Sequence, residues 1–120
     1  MAGLESKRLE SPDEVRQFVD KGHVDLVSFE TGAVGRGVFE PGWRWSEHVK
    51  PLAGTDSCQV HHVGIVLEGS MIVQMDGGEQ LEVKPGDVFD MPPGHDAWVT
   101  SDEPCVLLDF GGLQGYAKGG

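Results

Sequence analysis

Ten residues constrain this chain more than any other stretch: Val60-His61-His62-Val63-Gly64-Ile65-Val66-Leu67-Glu68-Gly69. β-Branched residues run through it without a clean apolar–polar alternation, which suits a strand covered on both faces. Two histidines open it, and an imidazole near the end of a buried strand must find hydrogen-bond partners or ligate something. Alternation sets His61 with Val63, Ile65 and Leu67, and His62 with Val60, Gly64 and Val66. Gly64 leaves room beside His62, as the wall of a cavity would.

The flanking sequence is cut into short apolar runs by 18 glycines and 7 prolines, the punctuation of an all-β domain. Ser11-Pro12-Asp13-Glu14 predicts the start of a short helix, with Val15, Phe18 and Val19 on one face and an end near Gly22. Strands are expected over 23–30 and 33–40, then over 43–49. In that third strand Trp43, Trp45, Glu47 and Val49 share one side, and Arg44, Ser46 and His48 the other. A loop over 51–57 precedes the central strand, and turns at Asp76-Gly77-Gly78, Lys84-Pro85-Gly86-Asp87 and Pro92-Pro93-Gly94 separate the strands that follow. Eight or nine strands after one helix make a closed or sandwiched β-barrel. The expected organisation is a 1–22 lead with the helix, a 23–110 barrel and a loosely held 111–120 glycine-rich tail. Three tryptophans with Phe89, Phe110, Met71, Met75 and Met91 supply its apolar inventory, and Cys105 reads as a small buried hydrophobe.

A net charge of −11 with only nine scattered Lys and Arg speaks against nucleic acid and anionic membrane as partners, since phosphate binding needs a basic stripe. No apolar run approaches the ~20 residues of a membrane span, and the first ten residues lack a signal-peptide core. Two cysteines without a C-x-x-C motif suit free thiols. A cytoplasmic protein is the expectation. Serine-hydrolase, phosphate-loop and zincin motifs are absent from the sequence.

Two passages resemble the signatures of the cupin family, small jelly-roll barrels. Val66-Leu67-Glu68-Gly69 is similar to the turn that ends the first motif, and Pro85-Gly86-Asp87 through Pro92-Pro93-Gly94 to the second, a Gly followed after five residues by Pro-x-Gly. The resemblance implies a jelly-roll β-barrel, commonly a homodimer. Metal-binding members carry His-x-His, a Glu seven residues before the turn glycine, and a later His. Counted from Gly69, those positions fall here on Asp56, Cys58, His62 and Ala97, so the usual ligand set is not carried over.

A replacement set suggests itself. With the 51–57 loop as an insertion in a hairpin, positions 48 and 62 lie opposite one another, symmetric about Thr55. His95 shares the parity of Ala97. His48, His62 and His95 are therefore expected to meet in one cavity and hold a divalent transition metal (Zn, Fe, Ni or Cu), with Cys58 as a candidate fourth ligand. Arg44 would line the same cavity and clamp an anionic group of a small organic ligand. Asp96 is a weaker candidate to orient an imidazole, and His61 reads as structural or as part of a dimer face. The resemblance implies dioxygenase or isomerase chemistry on that small molecule. The alternatives are a metal-free small-molecule-binding or sensor barrel without catalysis, and an interaction protein whose dimer is its purpose.

Overall fold

The computed structural model describes residues 3–112. Their strands are β1 (Glu14–Gln17), β2 (Gly22–Phe29), β3 (Gly32–Phe39), β4 (His62–Glu68), β5 (Met71–Met75), β6 (Gln80–Val83), β7 (Val88–Met91), β8 (His95–Val99) and β9 (Cys105–Asp109). Two single helical turns, α1 (Trp45–His48) and α2 (Lys50–Ala53), fill the connection between β3 and β4. All pairings are antiparallel. One sheet runs β1-β2-β3-β9-β4-β7 and the other β6-β5-β8. Among the described residues the result is two sheets facing one another.

Alternation decides what lies between the sheets. Phe39, Val66, Phe89, Met91, Cys105 and Leu107 of the larger sheet are buried, as are Met71, Val73, Val83 and Ala97 of the smaller. Their neighbours in sequence point outward and leave Val63, Leu67 and Val88 exposed. Phe110, expected in the core, is 57% exposed, because it follows the end of β9. Gly69 makes the turn from β4 to β5 at φ 69°, and a Cβ there would stand 2.4 Å from the Pro104 carbonyl oxygen. Only glycine tolerates both demands.

Two expected elements differ. The segment read as an N-terminal helix is the edge strand β1, paired with β2 from Glu14↔Leu26 to Gln17↔His23. Val15 and Val19 are exposed and only Phe18 is buried, stacked on Phe39 with ring centroids 5.4 Å apart. Within the expected helix start, the Asp13 carboxylate accepts from the Ser28 amide at 2.8 Å and from Lys7. Pairing to a ready sheet edge has outweighed a local helix signal. The segment 43–49, read as a strand, instead turns through α1. Trp45 and Val49, both buried, are four residues apart and share a helical face as readily as a strand face. The expected tail falls largely on residues 113–120, outside the described ones.

Candidate metal centre

β4 starts at His62 because the loop before it is pinned to β8. The Cys58 amide donates to the His95 carbonyl at 2.8 Å, and the Cys58 carbonyl accepts from the Gly94 amide at 2.7 Å. This bridge brings Cys58 beside His95, the first residue of β8. His62 in turn pairs across the larger sheet with Met91. Cys58, His62 and His95 are 2%, 6% and 3% exposed, and one donor atom from each lies within 4.8 Å of the others.

The hydrogen bonds around the rings fix what each offers. His62 Nδ1–H donates to Asp109 Oδ2 at 2.7 Å, since a carboxylate can only accept. The same carboxylate accepts from the Gly112 amide through Oδ1 at 2.7 Å. His95 Nδ1–H donates to the Pro92 carbonyl at 2.8 Å. In the neutral form of either ring Nε2 would then be the nitrogen that offers a lone pair. The ring centroids are 5.4 Å apart and steeply tilted. Burial lowers the pKa of His95 below the ordinary histidine value, with the Pro92 carbonyl opposing and the neighbouring His62 adding to the fall. A neutral imidazole is the form that ligates.

Cys58 Sγ lies 3.6 Å from His62 Nε2. Bonds of about 2.3 Å to sulfur and about 2.0–2.1 Å to nitrogen at a tetrahedral angle would set two such donors about 3.6 Å apart. The Cys58–His62 pair has that spacing, and the His95 donor lies within 4.8 Å of both; the donor types suit a transition metal. Burial pushes the Cys58 thiol up to about 11, so the sulfur otherwise keeps its hydrogen and points it at Nε2. A cation binding here has to displace that proton.

Beside these residues a pocket of about 30 Å³ opens between the sheets. Phe39, His62, Phe89, Met91, Leu107 and Asp109 form one wall; Met71, His95 and Ala97 form the other, and Trp43 and Trp45 close it. Both tryptophans are almost wholly buried, and neither indole Nε1–H has a hydrogen-bond partner. A buried donor left without a partner costs about 1–3 kcal/mol.

The structure thus brings His62, His95 and Cys58 together and leaves two expected residues elsewhere. His48 ends α1, where its Nδ1 accepts from the Arg44 amide at 3.0 Å; it is outside the cluster because 43–49 coils instead of pairing with β4. Arg44 is not on the pocket wall: its guanidinium stacks on Trp98 at 4.3 Å and reaches Asp96 at 3.4 Å. Asp96 accepts from the Ser46 amide at 3.1 Å and so seats α1 on β8, with no imidazole to orient. His61 faces outward, 2.6 Å from Asp90. Three contributors escaped the sequence reading, Asp109 and the Trp43 and Trp45 indoles that line the pocket. Asp109 carried a signal: it shares the parity of Cys105 and Leu107, which places a carboxylate on the buried side of an apolar strand.

An antiparallel two-sheet fold with a buried Cys–His–His cluster between its layers defines a class of small β-domains built around an internal site. The sequence model described as "Cupin domain" matches residues 39–111, and the chain belongs to the cupin family. No curated protein matches it in sequence. Similar solved structures include a cupin-like protein from Thermotoga maritima, 24% identical with a TM-score of 0.55, covering 79% of this chain and 71% of the other. A protein of unknown function from Rhizobium leguminosarum is 27% identical with a TM-score of 0.53, covering 76% and 79%. A sugar phosphate isomerase of the cupin superfamily from Silicibacter pomeroyi is 21% identical with a TM-score of 0.59, covering 88% and 74%.

Proposed function

We propose that this protein binds one divalent transition metal through Cys58 Sγ, His62 Nε2 and His95 Nε2, and uses it to bind and act on a small organic molecule in the adjoining pocket. The observation that carries this reading is the mutual approach of three buried donor atoms within 4.8 Å. A thiolate with two imidazoles favours zinc, iron, nickel or copper over magnesium or calcium. Three protein ligands leave a position for a water or substrate, the pattern of a catalytic centre. A metal bound there supplies Lewis acidity for a carbonyl or hydroxyl oxygen, or a site for dioxygen. Asp109 holds the His62 ring in register, the Pro92 carbonyl does the same for His95, and the apolar walls keep bulk water out. Isomerase chemistry has a precedent in the Silicibacter pomeroyi neighbour; dioxygenase chemistry is the other candidate.

The test is elemental analysis of untagged protein, wild type and His62→Ala, after exposure to each divalent ion. Stoichiometric metal in the wild type and its loss in the variant are expected. No metal in either would favour the second reading, a metal-free binding barrel, which the 3.6 Å Cys58–His62 contact also accommodates as an S–H···N hydrogen bond.

The proposal includes a cytoplasmic setting, supported by two unbridged cysteines, and a homodimer. Val63, Leu67 and Val88 are exposed on the outward face of β4 and β7, with Ile65 beside them half-buried. A second copy covering this face would remove a contiguous apolar strip from water. Light scattering should give twice the chain mass, and Val63→Lys should shift it to the monomer. A wild-type monomer at high concentration removes the dimer from the proposal.

A further inference from the structure

The segments that carry Cys58 and His95 are both tied to one residue outside the cluster, Asp76. Met75, the last residue of β5, pairs with His95, so Asp76 stands one step beyond that pair, beside Gly94. The Asp76 amide donates to the Gly94 carbonyl at 2.9 Å. Its carboxylate accepts from the Ser57 hydroxyl at 2.8 Å. Residues 57 and 94 each immediately precede a proposed ligand, so one residue of the β5–β6 turn holds the chain on the approach to both. Gly94 leaves room for this: at φ 95° it carries no Cβ, which would stand 3.1 Å from Asp76 Oδ2.

The two attachments secure different things. His95 belongs to a regular strand, paired with β5 from Met71↔Val99 to Met75↔His95. Cys58 belongs to a loop that leaves α2 through Gly54 in the left-handed region, at φ 74°. Among the described residues, the other hydrogen bonds and ion pairs of 54–57 stay within 50–59. They join the Gly54 amide to the Lys50 carbonyl, the Thr55 hydroxyl and the Gln59 side chain to Ser57, and Lys50 to Asp56. The Ser57–Asp76 bond is therefore what fastens this loop, ahead of the main-chain bridge at Cys58, to the smaller sheet. It runs from a hydroxyl that is 6% exposed to a carboxylate that solvent reaches.

We propose that Asp76 is a positioning residue for the cluster: through Ser57 it latches the loop that carries Cys58, and release of the latch frees Cys58 without unfolding the sheets. A ligand on a loop that must first be ordered binds more weakly by the entropy of that ordering. The latch thus acts on the sulfur ligand, while β8 and β4 hold the two imidazoles. This deepens the proposed function and rests on that reading for its purpose; the latch itself is a property of the metal-free protein.

Ser57→Ala removes the hydroxyl and leaves Asp76 to water, so no unpaired polar group is buried. Metal-free wild type and variant are alkylated with iodoacetamide at several urea concentrations below the unfolding transition. Initial rates at Cys58 and Cys105 are read separately by peptide mass spectrometry. Both thiols are buried and react only on opening, and the urea slope tells a local opening from global unfolding. Cys105, inside the β3–β9 pairing, supplies the global slope. In Ser57→Ala, Cys58 is expected to react about tenfold faster than in wild type, the worth of one hydrogen bond to a charged acceptor, with little dependence on urea. Asp76→Asn, which keeps a carbonyl acceptor, should fall between the two, and adding it to Ser57→Ala should change nothing further. Should Ser57→Ala not fold, Asp76→Asn carries the same comparison. Cobalt(II) is then added, because a thiolate ligand gives it a sulfur-to-metal charge-transfer band that imidazoles do not. That band should weaken in Ser57→Ala and cobalt affinity fall about tenfold. The inference is overturned if Cys58 of the variant shares the rate and urea slope of Cys105, if its rate equals that of wild type, or if cobalt binds the variant with unchanged band and affinity. Cobalt that fails to bind wild type removes the metal centre, and the alkylation rates still decide the latch, so the two failures are told apart.

Discussion

Asp109 decides what His62 can present. The carboxylate is fully buried at the end of β9 and takes the Nδ1 hydrogen, so Nε2 faces Cys58 with its lone pair. Asparagine at this position keeps the shape but accepts from only one of the two donors, His62 Nδ1–H and the Gly112 amide, and it removes the charge that strengthens His62 as a donor to metal. Replacement of such carboxylate partners typically weakens metal binding by about 10–100-fold. Asp109→Asn should therefore stay folded and lose zinc to a chelator at about that much lower concentration. An unchanged affinity would mean that the carboxylate only fills hydrogen bonds. At this scale the sequence was readable for single residues and blind to their company. His62, His95 and Cys58 stood out as chemistry-bearing residues. His48 did as well, but its grouping with His62 depended on a strand register that does not exist. Rotamers and tautomers follow from partners dozens of residues away, such as Asp109, 47 positions after His62, and no local pattern carries them.

Between elements, the central strand is held by close approach as much as by side-chain packing. Gly64 lies opposite both Phe89 of β7 and Asp109 of β9. A Cβ there would stand 1.9 Å from the Leu108 carbonyl oxygen and 2.9 Å from the Phe89 ring. The first is backbone and cannot swing aside. Gly64→Ala must push β4 from β9, at a cost of about 1–3 kcal/mol or more. Urea unfolding should show a lower midpoint with an unchanged slope, and metal affinity should fall with it, because His62 is two residues away on the displaced strand. A variant as stable as wild type would show that β4 has slack. The sequence showed a strand here and suggested that Gly64 made room in a cavity; the room it makes is for the neighbouring strand. Strands bounded by glycine and proline were generally legible, because period-two burial and turn chemistry agree there. Segments 11–22 and 43–49 were not. In the first, apolar residues at helical spacing proved to be one buried ring and two exposed valines; in the second, a short apolar run fits both periods.

For the molecule as a whole, the alkaline limit of stability follows from its two buried thiols. Burial raises Cys105 from an ordinary 9.0 to about 12 and Cys58 to about 11. A raised folded-state pKa means that folding favours the protonated thiol. That stability is intact below pH 9, where folded and unfolded chains both keep the proton. It is lost as pH rises toward the folded values, because the unfolded chain ionises first. Each thiol should remove up to about 1.4 kcal/mol per pH unit across that window. The net charge of −11 adds self-repulsion that also grows with pH, so the absolute fall cannot be assigned to sulfur alone. The difference between two chains can. Cys105→Ala carries the same surface charges and lacks one of the two thiols, so its stability should start lower from the small cavity it creates and then decline less steeply above about pH 9. Urea midpoints of metal-free protein at several pH values give both slopes. Parallel lines would mean that solvent reaches Cys105 despite its burial at the β3–β9 pairing, and that the space between the two sheets is looser than its packing indicates.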